Sequence, residues 1–169
     1  LAVTINSISA TDKSDYNLMQ NKIDVINYVI DLKISDMSKE ISAKTEIVFK
    51  TINDLQELKL NMKGMKIHSC TMDNREIAFS HLDGIITIQF TSILQSNNNH
   101  SLIVEYSGTP TSGLFIGKNK YRNFSAFSDN WSNYASYWFP SIDHPSDKAS
   151  ATFNISVPDK YEVICNGDQ

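Results

Sequence analysis

The sequence predicts an all-β domain: a β-sandwich, or saddle-like curved antiparallel sheets, with little helix. Three observations carry this expectation. Many short apolar stretches alternate with a period of two, turn signals separate them at close spacing, and no window holds an i, i+3, i+4, i+7 apolar pattern for three turns.

The first two elements are the clearest. Ile26, Tyr28, Ile30, Leu32 and Ile34 alternate with Asn27, Val29, Asp31, Lys33 and Ser35, giving one apolar and one mostly polar face. Ile41, Ala43, Thr45, Ile47 and Phe49 repeat the pattern after the polar residues 36–39, so the pair reads as a long hairpin. Shorter strands are expected at residues 55–60, 66–70, 76–79, 85–90 and 102–106. Lys63-Gly64, Asp73-Asn74, Asp83-Gly84 and the polar run 96–101 separate them. Two more are expected at 151–157, with Ala151, Phe153, Ile155 and Val157 on one face, and at 161–165. Residues 1–23 read as an irregular lead-in, and 24–169 as the β domain.

Residues 108–148 break this rhythm. They hold Tyr121, Phe124, Phe127, Trp131, Tyr134, Tyr137, Trp138 and Phe139, punctuated by Pro110, Pro140 and Pro145. A long aromatic loop region in a strand-rich domain is where function concentrates.

The 169 residues suit one domain, and at 41% hydrophobic and 20% charged residues the chain can build a core without a disulfide or structural metal. The net charge is −4 with no basic stripe, which argues against a nucleic-acid partner. No apolar run approaches the ~20 residues of a membrane-spanning helix. The chain opens on Leu1, which suggests a processed or cut polypeptide and an exported bacterial protein. Cys70 and Cys165 read as two buried thiols; a bridge between them needs the fold to bring their strands together.

Catalytic and metal-binding motifs are missing. His68, His81, His100 and His144 form no H-E-x-x-H pair, and there is no C-x-x-C, phosphate-binding glycine loop or G-x-S-x-G elbow. A Ser-His-Asp triad using His144 competes with a structural histidine beside a proline turn, and the adjacent Asp143 would point to the opposite face of a strand. Asn-x-Ser sequons occur at Asn99, Asn123, Asn130 and Asn154, as chance allows in a chain rich in Asn and Ser.

Residues 138–149 read W-F-P-S-I-D-H-P-S-D-K-A. They precede A-T-F-N-I-S-V-P at 151–158, then Tyr161-Glu162-Val163 and Asn166-Gly167. This order resembles the N-terminal domain of the gluzincin zinc aminopeptidases, the family of aminopeptidase N and leukotriene hydrolase. There a W-F-P-x-x-D-x-P-x-x-K-A block precedes a strand ending Val-Pro and then a Y-x-V-x-S/C-N-G strand. The Y-x-I-D-L start at Tyr28, the strand at 55–61 and V-E-Y-S-G-T-P at 104–110 fall in the same order, so the resemblance covers about residues 24–167. The D-H-P-S-D-K form looks closest to bacterial members.

The resemblance implies a non-catalytic domain of an enzyme that removes N-terminal residues from peptides. The domain would form one wall of the active-site cleft and dock on the catalytic domain. One zinc would sit in that catalytic domain, held by two histidines and a glutamate, and none in this chain. The partners implied are a peptide substrate and the protein's own catalytic domain. Trp138, Phe139, Pro140, Asp143, His144, Pro145 and Lys148 are the structural block: the prolines fix a corner, Asp143 accepts turn N–H groups, and Lys148 pairs with Asp143. The family often carries Gln or Glu nine residues before the first proline, where it holds the substrate's α-amino group. Here that position is Trp131, beside Asn130, and Ser136 or Tyr137 stands where Arg is common. An indole face attracts an ammonium ion, and an amide offers a neutral hydrogen bond. Asn130 and Trp131 are therefore the substrate-binding candidates. The alternative is a free-standing β-sandwich module with Trp131, Tyr134, Tyr137 and Trp138 as a stacking platform for sugar or peptide. An unpaired edge at residues 161–165 predicts weak self-association of the chain.

Overall fold

The computed structural model describes residues 22–144 and 146–167. Eleven strands among them form three sheets, with one three-residue 3-10 turn at Ala135–Tyr137 as the only helical element described. The expected lead-in falls largely on residues 1–21, and Pro145, Asp168 and Gln169 also lie outside the described residues. Among the described residues no helix is long and apolar enough to cross a membrane.

The largest sheet has six strands. The hairpin of β1 (Ile23–Lys33) and β2 (Ile41–Thr51) is its centre. On the far side of β2 lie β8 (Asn99–Gly108), β4 (Lys66–Met72) and the short β5 (Arg75–Glu76). On the other edge β11 (Ser150–Ser156) pairs with β1, parallel to it. A three-stranded sheet runs β3 (Leu55–Asn61), β7 (Ile85–Leu94), β6 (Phe79–Leu82). A separate hairpin joins β9 (Leu114–Lys118) to β10 (Phe124–Ser128).

The alternation builds the core directly. Tyr28, Ile30 and Leu32 of β1 and Ile41, Ile47 and Phe49 of β2 are buried together with Leu102, Val104 and Tyr106 of β8. Leu58, Leu60, Ile86 and Ile88 add the inner face of the three-stranded sheet. Thr45, the polar member of the β2 row, meets the Tyr106 hydroxyl at 3.0 Å, so neither buried oxygen lacks a partner. The opposite face of the large sheet is a polar ladder. Asn154 donates to Asp31 at 2.7 Å, Lys44 pairs with Asp31 at 3.0 Å, and Ser69 donates to Glu105. The Asn154 hydrogen bond and then Lys44 hold the Asp31 carboxyl below its usual range.

Four expected elements are corrected. Ile26 leaves the apolar face, because a bulge between Val25 and Asn27 shifts the register; Ile23 and Val25 are buried and Ile26 is exposed. The strand expected at 76–79 is a crossing between sheets: β5 ends at Glu76, Ile77 and Ala78 pass over, and β6 begins at Phe79. The region 108–148 is not one loop, since it contains the β9–β10 hairpin. Residues 161–165 form no strand. Tyr161 N–H turns back to Pro158 O at 2.9 Å, and the Tyr161 hydroxyl and Lys160 both bind Asp36 in the β1–β2 turn. The cysteines are free. Cys70 is buried, which pushes its thiol up to about 12, whereas Cys165 is exposed.

Candidate functional site

The loop that leaves β10 is tied down at four points. Asp129 N–H donates to Gly113 O at 2.8 Å, and Trp131 N–H donates to the Asp129 side chain at 3.2 Å. Tyr134 N–H reaches Asn130 O at 3.4 Å, and the indole N–H of Trp138 donates to Asn130 Oδ1 at 2.8 Å. Gly113 is required here: its φ is +74°, and a Cβ would lie 2.1 Å from Tyr134 O. On this anchored loop the Trp131 side chain projects outward, 85% exposed, and the Trp131–Ser132 peptide bond is cis. A large exposed aromatic is more informative than a buried one, because folding alone gives no reason for it.

The residues that follow turn inward. Trp138 is 2% exposed, stacked on Phe153 of β11 with ring centroids 6.2 Å apart. Phe139 is buried edge-on against Tyr28. Pro140 is buried. Ser141 pairs through its backbone with Asn61 at 2.8 and 3.1 Å, which joins this corner to the three-stranded sheet. Asp143 accepts the Ser136 hydroxyl at 2.6 Å and the Ser136 N–H at 3.3 Å. The expected Asp143–Lys148 pair does not form among the described residues: Ser136 already occupies the Asp143 carboxylate, and Lys148 is exposed. Pro145 lies outside the described residues. Burial of Trp138 takes one ring out of the four-ring platform; Trp131 and Tyr134 are exposed and Tyr137 is half-buried.

Asp147 has a role that sequence reading missed. It accepts Val25 N–H at 3.3 Å and the Tyr28 hydroxyl at 3.4 Å, while Tyr28 Oη accepts Ile142 N–H at 3.0 Å. Burial raises the Asp147 carboxyl above the usual carboxylate range, against the two donors. Burial raises the Tyr28 hydroxyl far above its ordinary value as well.

A cavity of about 430 Å³ opens beside Trp138. Its floor includes Leu32, Leu114, Phe153 and Ile155, one side is the unpaired edge of β10, and the other is the segment after Pro158. Around it are exposed apolar groups: Phe127, stacked on Phe115 at 4.9 Å, and Ile164.

No metal centre or triad assembles among the described residues. No three His, Cys, Asp or Glu side chains converge. His68 bonds Ser107, His81 bonds Met62 O, His100 lies against Phe49, and His144 Nδ1 bonds Ser146. Asp143 faces Ser136 rather than His144.

The Peptidase M1 N-terminal domain matches residues 24–169. The chain belongs to that family. Three solved structures show the same fold. An M1 zinc metallopeptidase from Deinococcus radiodurans aligns at 20% identity and TM-score 0.71, over 83% of this chain and 33% of its own. Yeast LTA4 hydrolase in complex with bestatin aligns at 20% and 0.70, over 92% and 26%. The native yeast LTA4 hydrolase aligns at 20% and 0.70, over 82% and 23%. No curated protein matches this sequence significantly. This M1 N-terminal domain thus spans about a third or less of the length of the structures it resembles.

Proposed function

We infer that this M1 N-terminal domain forms one wall of the active-site cleft of a zinc-dependent aminopeptidase and docks on its catalytic domain. The observation that carries the reading is an M1 N-terminal fold presenting Trp131, 85% exposed, on an anchored loop whose preceding residue Asn130 lines a cavity, with exposed Phe127 and Ile164 on the cavity's walls. A monomer that exposes such groups together has a surface suited to a partner. A neighbour with this fold is described as bound to a Tyr-Ser-Ala substrate, which supports peptides as the substrate class.

In this reading the zinc belongs to the catalytic domain, as the zinc metallopeptidase neighbours support. There it would activate the attacking water. This domain supplies position rather than chemistry. Trp131 offers an indole face to the peptide's N-terminal ammonium, an attraction of about 0.5–2 kcal/mol depending on desolvation. It stands where a charged or amide acceptor would otherwise bind.

The test is the enzyme that contains this domain. Metal analysis should find one zinc per enzyme, and aminoacyl-anilides should be hydrolysed. The 169-residue chain alone should retain no stoichiometric zinc after dialysis and show no turnover. Turnover by the isolated chain would overturn the assignment.

A further inference from the structure

We propose that Asn130 is a positioning residue and not a ligand of the substrate: through Trp138 it fixes the loop that presents Trp131. The inference rests on the reading of that loop as a substrate wall, and it assigns the two neighbouring residues different tasks.

The hydrogen-bond chemistry separates them. Trp138 is buried, so its single indole donor needs an acceptor, and Asn130 Oδ1 at 2.8 Å supplies it. That contact also sets the orientation of the amide, because only its oxygen can face an N–H. The other polar atom of the amide is Nδ2, a donor. A peptide's N-terminal ammonium is also a donor, and two donors do not pair. Asn130 Oδ1 thus has one of its two lone pairs committed to the buried indole, and the amide nitrogen beside it, a donor, is the wrong group for an ammonium.

Its placement suits a structural task. Trp138 is held on its own faces by Phe153 and Phe139, so it is a fixed point. The hydrogen bond from this fixed ring reaches the residue immediately before Trp131. The backbone ties at Asp129 and Tyr134 then bracket the loop. The Trp131 ring has no such support of its own, so its position depends on the loop. Holding an aromatic anchor in its binding geometry before the ligand arrives lowers the ordering cost of binding.

The experiment uses the domain's two tryptophans separately. In a Trp131→Phe background, Trp138 is the only indole. Asn130→Ala should shift its emission to the red and increase quenching by acrylamide, and Asn130→Asp, which keeps the acceptor, should not. In the enzyme, Asn130→Ala should raise KM for an aminoacyl-anilide about fivefold, the factor that one neutral hydrogen bond supplies, and leave kcat nearly unchanged. Trp138→Phe, which keeps a six-membered ring but removes the donor together with the pyrrole half of the buried indole, should raise KM at least as much. The double variant should be no worse than Trp138→Phe alone.

Asn130→Asp distinguishes the roles. Restoration of wild-type KM supports positioning, and a KM well below wild type would show direct contact with the ammonium and overturn the proposal. Additive effects of Asn130→Ala and Trp138→Phe would also overturn it, as would unchanged Trp138 emission. If Trp131→Ala leaves kcat/KM unaltered, the substrate-wall reading fails by itself, and the emission of Trp138 still decides whether Asn130 holds the loop.

Discussion

Removing one oxygen from Tyr28 should destabilise this domain out of proportion to the size of the change. Tyr28 Oη stands between two groups from the far end of the chain, taking Ile142 N–H at 3.0 Å and donating to Asp147 at 3.4 Å. In Tyr28→Phe the ring remains against Phe139, so no large cavity forms and the loss is almost wholly polar. Ile142 is buried, and its N–H would be left without its acceptor. A buried unpaired donor costs about 1–3 kcal/mol. Asp147 keeps Val25 N–H as a donor, so the second bond, long at 3.4 Å, adds little. A total of about 2 kcal/mol would lower Tm by about 4–8 °C in a domain of this size. Urea melts of wild type and variant, with equal slopes, would give the value directly. A variant within about 0.5 kcal/mol of wild type would refute the reasoning. It would mean that water or a local shift satisfies Ile142.

Three further substitutions test the same architecture. Asp147→Asn should flatten the acid side of the stability profile. The folded carboxyl holds its proton to higher pH than an unfolded aspartate, so native stability falls as pH rises from the ordinary Asp range through that raised value and is level above it. Relative to wild type, Asp147→Asn should therefore be more stable at pH 7 than at pH 3.5, and the opposite trend in urea melts would show that the donors outweigh burial. Gly113→Ala should lower stability by more than the ~1 kcal/mol usual for a glycine change, because the new Cβ meets Tyr134 O at 2.1 Å; an unshifted melt would exclude this packing. Trp131→Ala should reduce kcat/KM of the enzyme while leaving Tm within about 2 °C, since the side chain is almost fully exposed; a collapsed Tm without a kinetic defect would make it a packing residue.

The elements legible in the sequence were the strands with a clear apolar alternation, including β8 and β11, whose partners are distant in the chain. The β1–β2 hairpin shows its period of two from Tyr28 onward in β1 and along all of β2, and the turn residues mark its end. Periodicity cannot reveal an inserted residue, so the bulge that exposes Ile26 stayed hidden. The β9–β10 hairpin did leave a signal. Leu114 and Ile116 alternate with Phe115, and Phe124 with Ser125, around the polar residues 119–123. That pattern is masked by the aromatic density of the segment. The direction of β11 is not written in its residues, because parallel and antiparallel partners demand the same alternation. Tyr28 and Asp147 lie 119 residues apart, and nothing local in either pairs them. Around Trp131, the aromatic clustering located the loop, but only the folded chain separates the exposed Trp131 from the buried Trp138.

The aromatic block explains why the site and the core of this domain are difficult to change independently. Between Trp138 and Asp147 the chain contacts every sheet in turn. Trp138 rests on β11 and lies beside Gly113 at the start of the β9–β10 hairpin. Ser141 bridges to β3, Asp143 binds Asn61 and Ser136, and Asp147 reaches β1. Each contact uses a directional hydrogen bond or a ring face, so each fixes an angle as well as a distance. Strand residues in the core are less constrained, since apolar groups of similar volume can replace one another at modest cost. A substitution in the strands should therefore change stability and leave the Trp131 loop in place. One in the block shifts the point from which Asn130 and Trp131 hang, and its effect should appear in binding even where the fold survives.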